Sequence, residues 1–196
     1  QRQMCIRDRA GVDAIVAEGF EAGGHNGREE TTTLCLIPAV REATTLPLIA
    51  AGGIGTGEAI FALMALGAEG VQMGTRFALT DESSASDIFK EYCLRLNEGD
   101  TKLLLKKLAP TRLVTNSFRD RVEAAEGRGA SAEELRELLG RGRAKKGIFE
   151  GDLEEGELEI GQVAALFRRR QSVDEVMKEL LEGYRRASDK IRSAGL

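Results

Sequence analysis

Three short apolar segments, each followed by a glycine-rich loop, limit the possible folds of this chain more than any other feature. The segments cover residues 12–17, 47–51 and 69–73, and the loops after them read EAGGHNG, AAGGIGTG and QMGTRF. A short, mainly apolar run such as residues 12–17 is typical of a strand buried on both faces of a parallel sheet. Helical segments separate them, so the sequence predicts βαβ units whose loops gather at one edge of the sheet.

The two segments between these strands carry the periodicity of helices. Apolar residues within 31–45 recur at the i, i+3, i+4, i+7 spacing of one helix face. Pro38 is tolerated in a first turn, which predicts that this helix begins between Cys35 and Ile37. The segment TGEAIFALMALG predicts a second helix that closes at Gly67.

The pattern changes after about residue 84, where amphipathic helical segments replace the apolar runs. Two of these segments open with capping boxes, formed by Ser131 with Glu134 and by Ser172 with Glu175. The short apolar segment GELEIGQVAALF also reads as a helix. We therefore predict an α/β part at residues 10–84 and an all-helical region at 85–196. Residues 1–9 resemble neither part, and we expect a non-native or disordered extension, with a frayed natural terminus as the alternative.

Composition argues against several classes of function. The chain has 196 residues, a net charge of −4, no Trp and two Tyr, which disfavours nucleic acid as a partner. No apolar run approaches the roughly 18 residues of a membrane span, so we expect none. Three widely spaced cysteines and one histidine predict reduced thiols, a cytoplasmic location and no metal site.

The second and third glycine loops have the features of a phosphate site. Glycine allows backbone N–H groups to approach an anion closely, and the start of a helix adds further N–H groups. Gly52, Gly53 and Ile54 precede the second helix, and Gly74 with Thr75 would close the cradle from the next strand. The alternative is that these glycines only form tight turns between strands and helices.

His25, the only histidine, lies in the first glycine loop. An imidazole titrates near pH 6.5, which suits proton abstraction at neutral pH. We interpret His25 as a candidate catalytic base, and a purely structural histidine remains the alternative.

The segments EGFEAGGHNGREETTTLCLIPAV, PLIAAGGIGTGEAI and GAEGVQMGTRFALTDESS strongly resemble the nitronate monooxygenase family, formerly called 2-nitropropane dioxygenase. The family includes the FMN-dependent enoyl-ACP reductase II branch. The resemblance covers about residues 10–196 and implies an FMN-binding TIM barrel with a helical lid domain. Only three strands are recognisable, and they resemble strands six, seven and eight. We therefore expect a partial (β/α)8 barrel, the C-terminal fragment of a longer protein.

The resemblance also implies roles for individual residues. His25 would be the catalytic base, Gly23 would lie against the flavin, and Glu18 stands where many members carry a glutamine that contacts the flavin. The remaining expected contacts are to the FMN phosphate, namely Gly53 from the penultimate strand and Gln72, Met73, Gly74 and Thr75 from the last.

The implied reaction is oxidation of a nitronate or nitroalkane by dioxygen, giving a carbonyl compound and nitrite. An NAD(P)H-dependent reductase of enoyl thioesters is one alternative, which Glu18 slightly favours. Another is an inactive fragment or a non-catalytic phosphate-binding remnant. We expect the chain by itself to bind FMN weakly and to show no oxidation of nitronates. Its oligomeric state is left open.

Overall fold

The computed structural model describes residues 11–195, so the expectation for residues 1–9 lies outside the described part. The strands are short, namely β1 (Ile15–Glu18), β2 (Gly24–His25), β3 (Leu48–Ala51), β4 (Gly70–Gln72), β5 (Thr101–Leu104) and β6 (Thr111–Val114). The α-helices are α1 (Thr33–Ala43), α2 (Gly57–Ala65), α3 (Thr75–Ala78), α4 (Asp87–Cys93), α5 (Ser117–Gly127), α6 (Ala132–Leu139) and α7 (Val173–Ser193). A π-helical turn (Lys145–Phe149) and a 3₁₀ turn (Gln162–Leu166) complete the described elements.

A parallel sheet of order β1-β3-β4 confirms the three strands predicted from the apolar segments. Ile15 pairs with Leu48, and Ile49 pairs with Gly70. All three strands therefore end at the same edge of the sheet, which brings their glycine loops together. This arrangement places the loops as predicted.

The prediction that the first strand is buried on both faces is wrong. Ile15 and Ala17 are buried against α1 and α2, whereas Val16 is 40% exposed and Glu18 is also exposed. The strand therefore alternates between a covered and an open face, as strands with one buried face do. The open face of β1 is continuous with the edge where the loops gather.

Helix α1 begins at Thr33, two residues before the earliest predicted start. The Glu21 carboxylate accepts the backbone N–H of Thr33 at 3.0 and 3.1 Å, which supplies a cap from a distant residue. Pro38 consequently lies inside the helix and withdraws one backbone hydrogen bond. Helix α2 forms as predicted, with Gly67 in the left-handed region at φ 104°.

The prediction that residues 85–196 are wholly helical is wrong, because β5 and β6 form an antiparallel hairpin there. Strand β6 also pairs with β2, giving a second sheet of order β2-β6-β5. Every residue of β6 is buried, so its sequence lacks the alternation that identifies a strand. The pairing joins the predicted parts 10–84 and 85–196 in one sheet.

The segment GELEIGQVAALF is not the predicted helix. Leu158 accepts a hydrogen bond from the N–H of Val114 at 2.9 Å, and Glu159 forms a bridge with Leu113. Leu158 and Glu159 therefore lie alongside β6, and only the 3₁₀ turn at Gln162–Leu166 is helical. The two predicted capping boxes are present and begin α6 and α7. Within residues 11–195, no helix combines the length and apolar character needed to span a bilayer.

Arg112 on β6 connects the second sheet to the first glycine loop. Its side chain is 2% exposed, and its guanidinium donates to the carbonyls of Ala22 at 3.0 Å and Phe20 at 2.5 Å. The guanidinium also lies over the ring of Phe20, 5.1 Å from its centroid. Two carbonyls of the loop therefore depend on one buried side chain of the hairpin.

Replacing Arg112 with Met should loosen this loop. The change leaves the carbonyls of Phe20 and Ala22 without their donors, which costs about 1–3 kcal/mol when such groups stay buried. We expect faster amide hydrogen exchange across residues 19–26, measured by mass spectrometry. Arg28→Met is the matched control, since Arg28 also donates to two backbone carbonyls, but at an exposed site, where a substitution changes stability by less than about 0.5 kcal/mol. Equal effects of the two substitutions would contradict this role of Arg112.

Candidate active site

A cavity of about 260 Å³ lies at the carboxyl ends of β1, β3 and β4. The three loops that follow these strands line it together. The seven residues expected to bind a cofactor all belong to this lining, namely Glu18, Gly23, Gly53, Gln72, Met73, Gly74 and Thr75. Residues separated by up to 57 positions in the sequence therefore share one cavity.

The first two loops pack closely enough to require glycine. Gly52 and Gly53 have φ values of 91° and 68°, in the left-handed region. A Cβ on Gly52 would lie 2.5 Å from the carbonyl oxygen of Gly19, and one on Gly53 would lie 3.0 Å from Cβ of Glu21. The turn and its close packing therefore require glycine at both positions, as the alternative interpretation held. The same two glycines also leave backbone without side chains at the cavity wall.

The start of α2 lies away from this cavity, contrary to the expectation that it contributes to the phosphate cradle. The hydroxyl of Thr56 caps the helix by accepting the N–H of Ala59 at 3.2 Å. Helix α7 packs directly over Gly57, where a Cβ would clash with the carbonyl oxygen of Leu180. Residues 55–58 instead line a separate cavity of about 490 Å³.

The opposite wall of the first cavity comes from the C-terminal half of the chain, which the sequence interpretation did not include. Its members are Ile148, Glu159, Ile160 and Val163. This segment contacts the third and the first glycine loops. Thr75 Oγ1 of the third loop accepts the N–H of Gly161 at 3.0 Å. A Cβ on Gly23 of the first loop would lie 2.5 Å from the carbonyl carbon of Ile160. The alternation of Glu and apolar residues at 157–160 is a strand signal that could have identified it.

His25 lies on β2, where it pairs with Thr111 of β6. The side chain is exposed, and His25 is not among the residues that line the cavity. It follows Gly23, which does line the cavity, by two positions. The structure thus leaves the candidate base outside the cavity lining, two residues along the chain from Gly23, and fixes its backbone through the second sheet.

Three carboxyl groups near the cavity are shifted towards their neutral forms. The pKa of Glu157 is raised to about 7, mainly by burial and secondly by the charge of the neighbouring Glu159, while the charges of His25 and Arg143 oppose the shift. Burial also raises the pKa of Glu159, and desolvation raises the pKa of Glu18. These three groups therefore ionise less readily than free carboxyl groups do.

The remaining candidate nucleophiles and metal ligands lie elsewhere. Burial raises the pKa of the Cys93 thiol to about 12, so this cysteine is not a thiolate at neutral pH. Within residues 11–195, no group of three or more His, Cys, Asp or Glu side chains is placed to hold a metal ion.

Comparison with known proteins identifies sequence relatives of the chain. The sequence model described as "Nitronate monooxygenase" matches residues 2–183, which extends into the residues expected to form an extension. A protein from Staphylococcus aureus (strain JH9), described as "Probable nitronate monooxygenase", is 40% identical over 136 residues. That match covers 64% of this chain and 38% of the relative.

The chain is also similar to solved structures. FabK from Thermotoga maritima superimposes with a TM-score of 0.91 at 35% identity, covering 98% of this chain and 61% of that one. Nitroalkane oxidase from Streptomyces ansochromogenes superimposes with a TM-score of 0.76 at 30% identity, covering 97% of this chain and 56% of that one. The chain thus spans less than two thirds of the length of these relatives. Because the family's sequence model matches most of its residues, the chain belongs to the nitronate monooxygenase family.

Proposed function

We propose that the chain contains part of the active site of an FMN-dependent nitronate monooxygenase, which converts nitronates or nitroalkanes and dioxygen into carbonyl compounds and nitrite. The observation that carries this proposal is the convergence of three loops on one cavity. Its lining includes all seven residues that the resemblance assigned to the flavin. Family membership supports the reaction class.

The residues present fit one end of a flavin nucleotide. Gly53 offers bare backbone, and no atom lies within 4 Å of a Cβ built on Gly74, so the space in front of that residue is open. Backbone N–H groups in such loops suit a phosphate. Ile54, Ile160 and Val163 supply an apolar wall for a ring. Bound FMN would accept electrons from the substrate, and dioxygen would reoxidise it.

His25 would act on the substrate as a base. It would take the α-proton of a neutral nitroalkane, or orient a nitronate and balance its negative charge. Its exposed position on β2 leaves the imidazole accessible, and the pairing of β2 with β6 fixes the backbone that carries it. Glu18 would stand beside the flavin with a carboxyl group whose pKa is raised by desolvation. A carboxyl group that ionises less readily would repel an electron-rich ring less.

We expect the chain alone to hold FMN weakly. Small-molecule sites commonly bury about 70–90% of the ligand surface, whereas the open face of β1 leaves Val16 and Glu18 exposed beside this cavity. An exposed apolar face of this kind also favours self-association. We therefore expect no measurable nitronate oxidation by the chain alone.

Replacing Gly53 with Asp should abolish the remaining FMN binding. The substitution adds a side chain 3.0 Å from Cβ of Glu21 and a negative charge where the phosphate would lie. FMN fluorescence titration should show saturable binding for the wild type and none for Gly53→Asp. Gly99→Asp is the control, since Gly99 also has a positive φ of 85° but has open space around it. Normal FMN binding by Gly53→Asp would contradict the proposal that the backbone at Gly53 binds the FMN phosphate.

Replacing His25 with Asn should slow turnover of neutral nitroalkanes by about 10²–10⁴, the usual cost of losing a general base. Preformed nitronates have already lost that proton and should be affected less. The assay needs a closed flavin site, which the chain alone is not expected to form. A chimera could provide it, in which residues 11–195 replace the matching 61% of the FabK chain from Thermotoga maritima.

Two other outcomes of this assay would change the proposal. Equal losses on nitroalkanes and nitronates would mean that His25 binds or orients the substrate without acting as a base. Reduction of a crotonyl thioester by NADH, without nitronate oxidation, would indicate the enoyl-thioester reductase instead.

A further inference from the structure

The hydroxyl of Thr33 joins the first two glycine loops at a buried point behind the cavity. Thr33 is 5% exposed and is not among the residues that line the cavity. Its Oγ1 lies 2.8 Å from the carbonyl oxygen of Gly52 and 2.9 Å from Oε2 of Glu21. Gly19 leaves the space that this hydroxyl occupies, since a Cβ there would clash with Thr33 Oγ1. The roles described above give this hydroxyl no function.

We propose that Thr33 is a positioning residue for the FMN phosphate, because its hydroxyl directs the N–H of Gly53 into the cavity. The bond from Thr33 to Gly52 is a property of the chain itself. The phosphate as the ligand of the Gly53 N–H rests on the proposed function.

The other acceptors around this hydroxyl already have donors, which leaves its single proton for Gly52. Three oxygens lie near Thr33 Oγ1, and those of Glu21 and Ala51 are the more distant, at 2.9 and 3.3 Å. The carbonyl of Ala51 already accepts the N–H of Gly19 at 2.9 Å. Both oxygens of Glu21 already accept the N–H of Thr33. Among residues 11–195, the carbonyl of Gly52 has no donor other than this hydroxyl.

The peptide bond between Gly52 and Gly53 transmits this orientation to the cavity. The bond is trans, so its carbonyl and its N–H point in opposite directions. Because the carbonyl of Gly52 points at Thr33, the N–H of Gly53 points away from Thr33. Gly53 lines the cavity, and its N–H meets no acceptor within the described part of the chain. It is therefore a free donor on the cavity side.

The negative charge beside this donor is bound outside the cavity. Glu21 adjoins Gly53, where a Cβ would lie 3.0 Å from Glu21 Cβ, yet Glu21 is not part of the cavity lining. Its carboxylate accepts the N–H of Thr33 at the start of α1, where the helix dipole favours a negative charge. Thr33 thus binds Gly52 through its hydroxyl and Glu21 through its N–H, and a substitution of the side chain retains the second bond.

Thr33→Val tests the hydroxyl, because it keeps the shape of the side chain and the backbone N–H. In the ligand-free chain labelled with ¹³C and ¹⁵N, the NMR signal of the Gly52 carbonyl carbon should move upfield, since that carbonyl loses its donor. Thr33→Ser keeps the hydroxyl and should leave the signal in place. Thr80→Val is the matched control, since Thr80 is 2% exposed and its hydroxyl also donates to a backbone carbonyl at 2.8 Å, but outside the cavity lining.

The second measurement compares FMN with riboflavin, which lacks the phosphate, by fluorescence titration of the same variants. Thr33→Val should weaken FMN binding about tenfold, the usual effect of losing one hydrogen bond to a charged group, and leave riboflavin binding unchanged. Thr33→Ser and Thr80→Val should bind both flavins as the wild type does. A general loss of structure would weaken the binding of both flavins, so the selective loss identifies positioning.

An unmoved Gly52 signal in Thr33→Val would overturn the proposal, as would equal losses of FMN and riboflavin binding. The same conclusion would follow if Thr33→Ser behaved like Thr33→Val, because the hydroxyl would then not be the group that acts. A wild type that binds FMN no better than riboflavin, with the Gly52 signal shifted as expected, would confirm the bond from Thr33. It would overturn the phosphate contact at Gly53, which belongs to the proposed function.

Discussion

Three distant segments of the chain bond to or pack against the loop between β1 and β2, and the candidate site depends on these contacts. Arg112 bonds to two of its carbonyls from the second sheet. Gly52 packs against the carbonyl of Gly19 from the next βα loop. The N–H of Gln162 donates to the carbonyl of Glu21 at 3.0 Å from the C-terminal half. Segments far apart in sequence therefore fix the backbone that carries both Gly23 and His25.

The same constraint explains how much of the site was predictable from sequence. Parallel strands end at one edge, so three glycine loops that follow three apolar runs must meet there. That argument needs only local patterns, and residues as distant as Glu18 and Thr75 do line one cavity. The glycines themselves were informative because left-handed backbone and close approach both exclude a side chain.

The parts that could not be predicted depend on partners outside each segment. Strand β6 is buried throughout, so no alternation marks it. Strand β2 has two residues and exists because β6 pairs with it. Glu159 lines the cavity because its segment lies alongside β6 and bonds to Thr75, which no signal within the segment reveals. The early start of α1 likewise depends on the Glu21 carboxylate, which no helix signal in residues 31–45 contains.

The loop after β3 separates two cavities. The sequence had predicted that its glycines and the start of α2 form one phosphate site. Gly53 and Ile54 line the cavity at the strand ends, and Gly55 with Gly57 lines the larger one. The larger cavity contains more arginine, but its charges are largely paired, as in the bond from Arg76 to Glu179 at 2.5 Å. The smaller cavity is therefore the one that we propose for the flavin.

Amide chemical-shift mapping with FMN would test that assignment most directly. FMN would be titrated into the ¹⁵N-labelled chain, and the shifts of the backbone amides would be followed. If FMN binds in the smaller cavity, the changes should concentrate in residues 18–25, 52–54 and 72–75. Changes confined to residues 55–58 and 166–171, around the larger cavity, would contradict it, as would the absence of any saturable change.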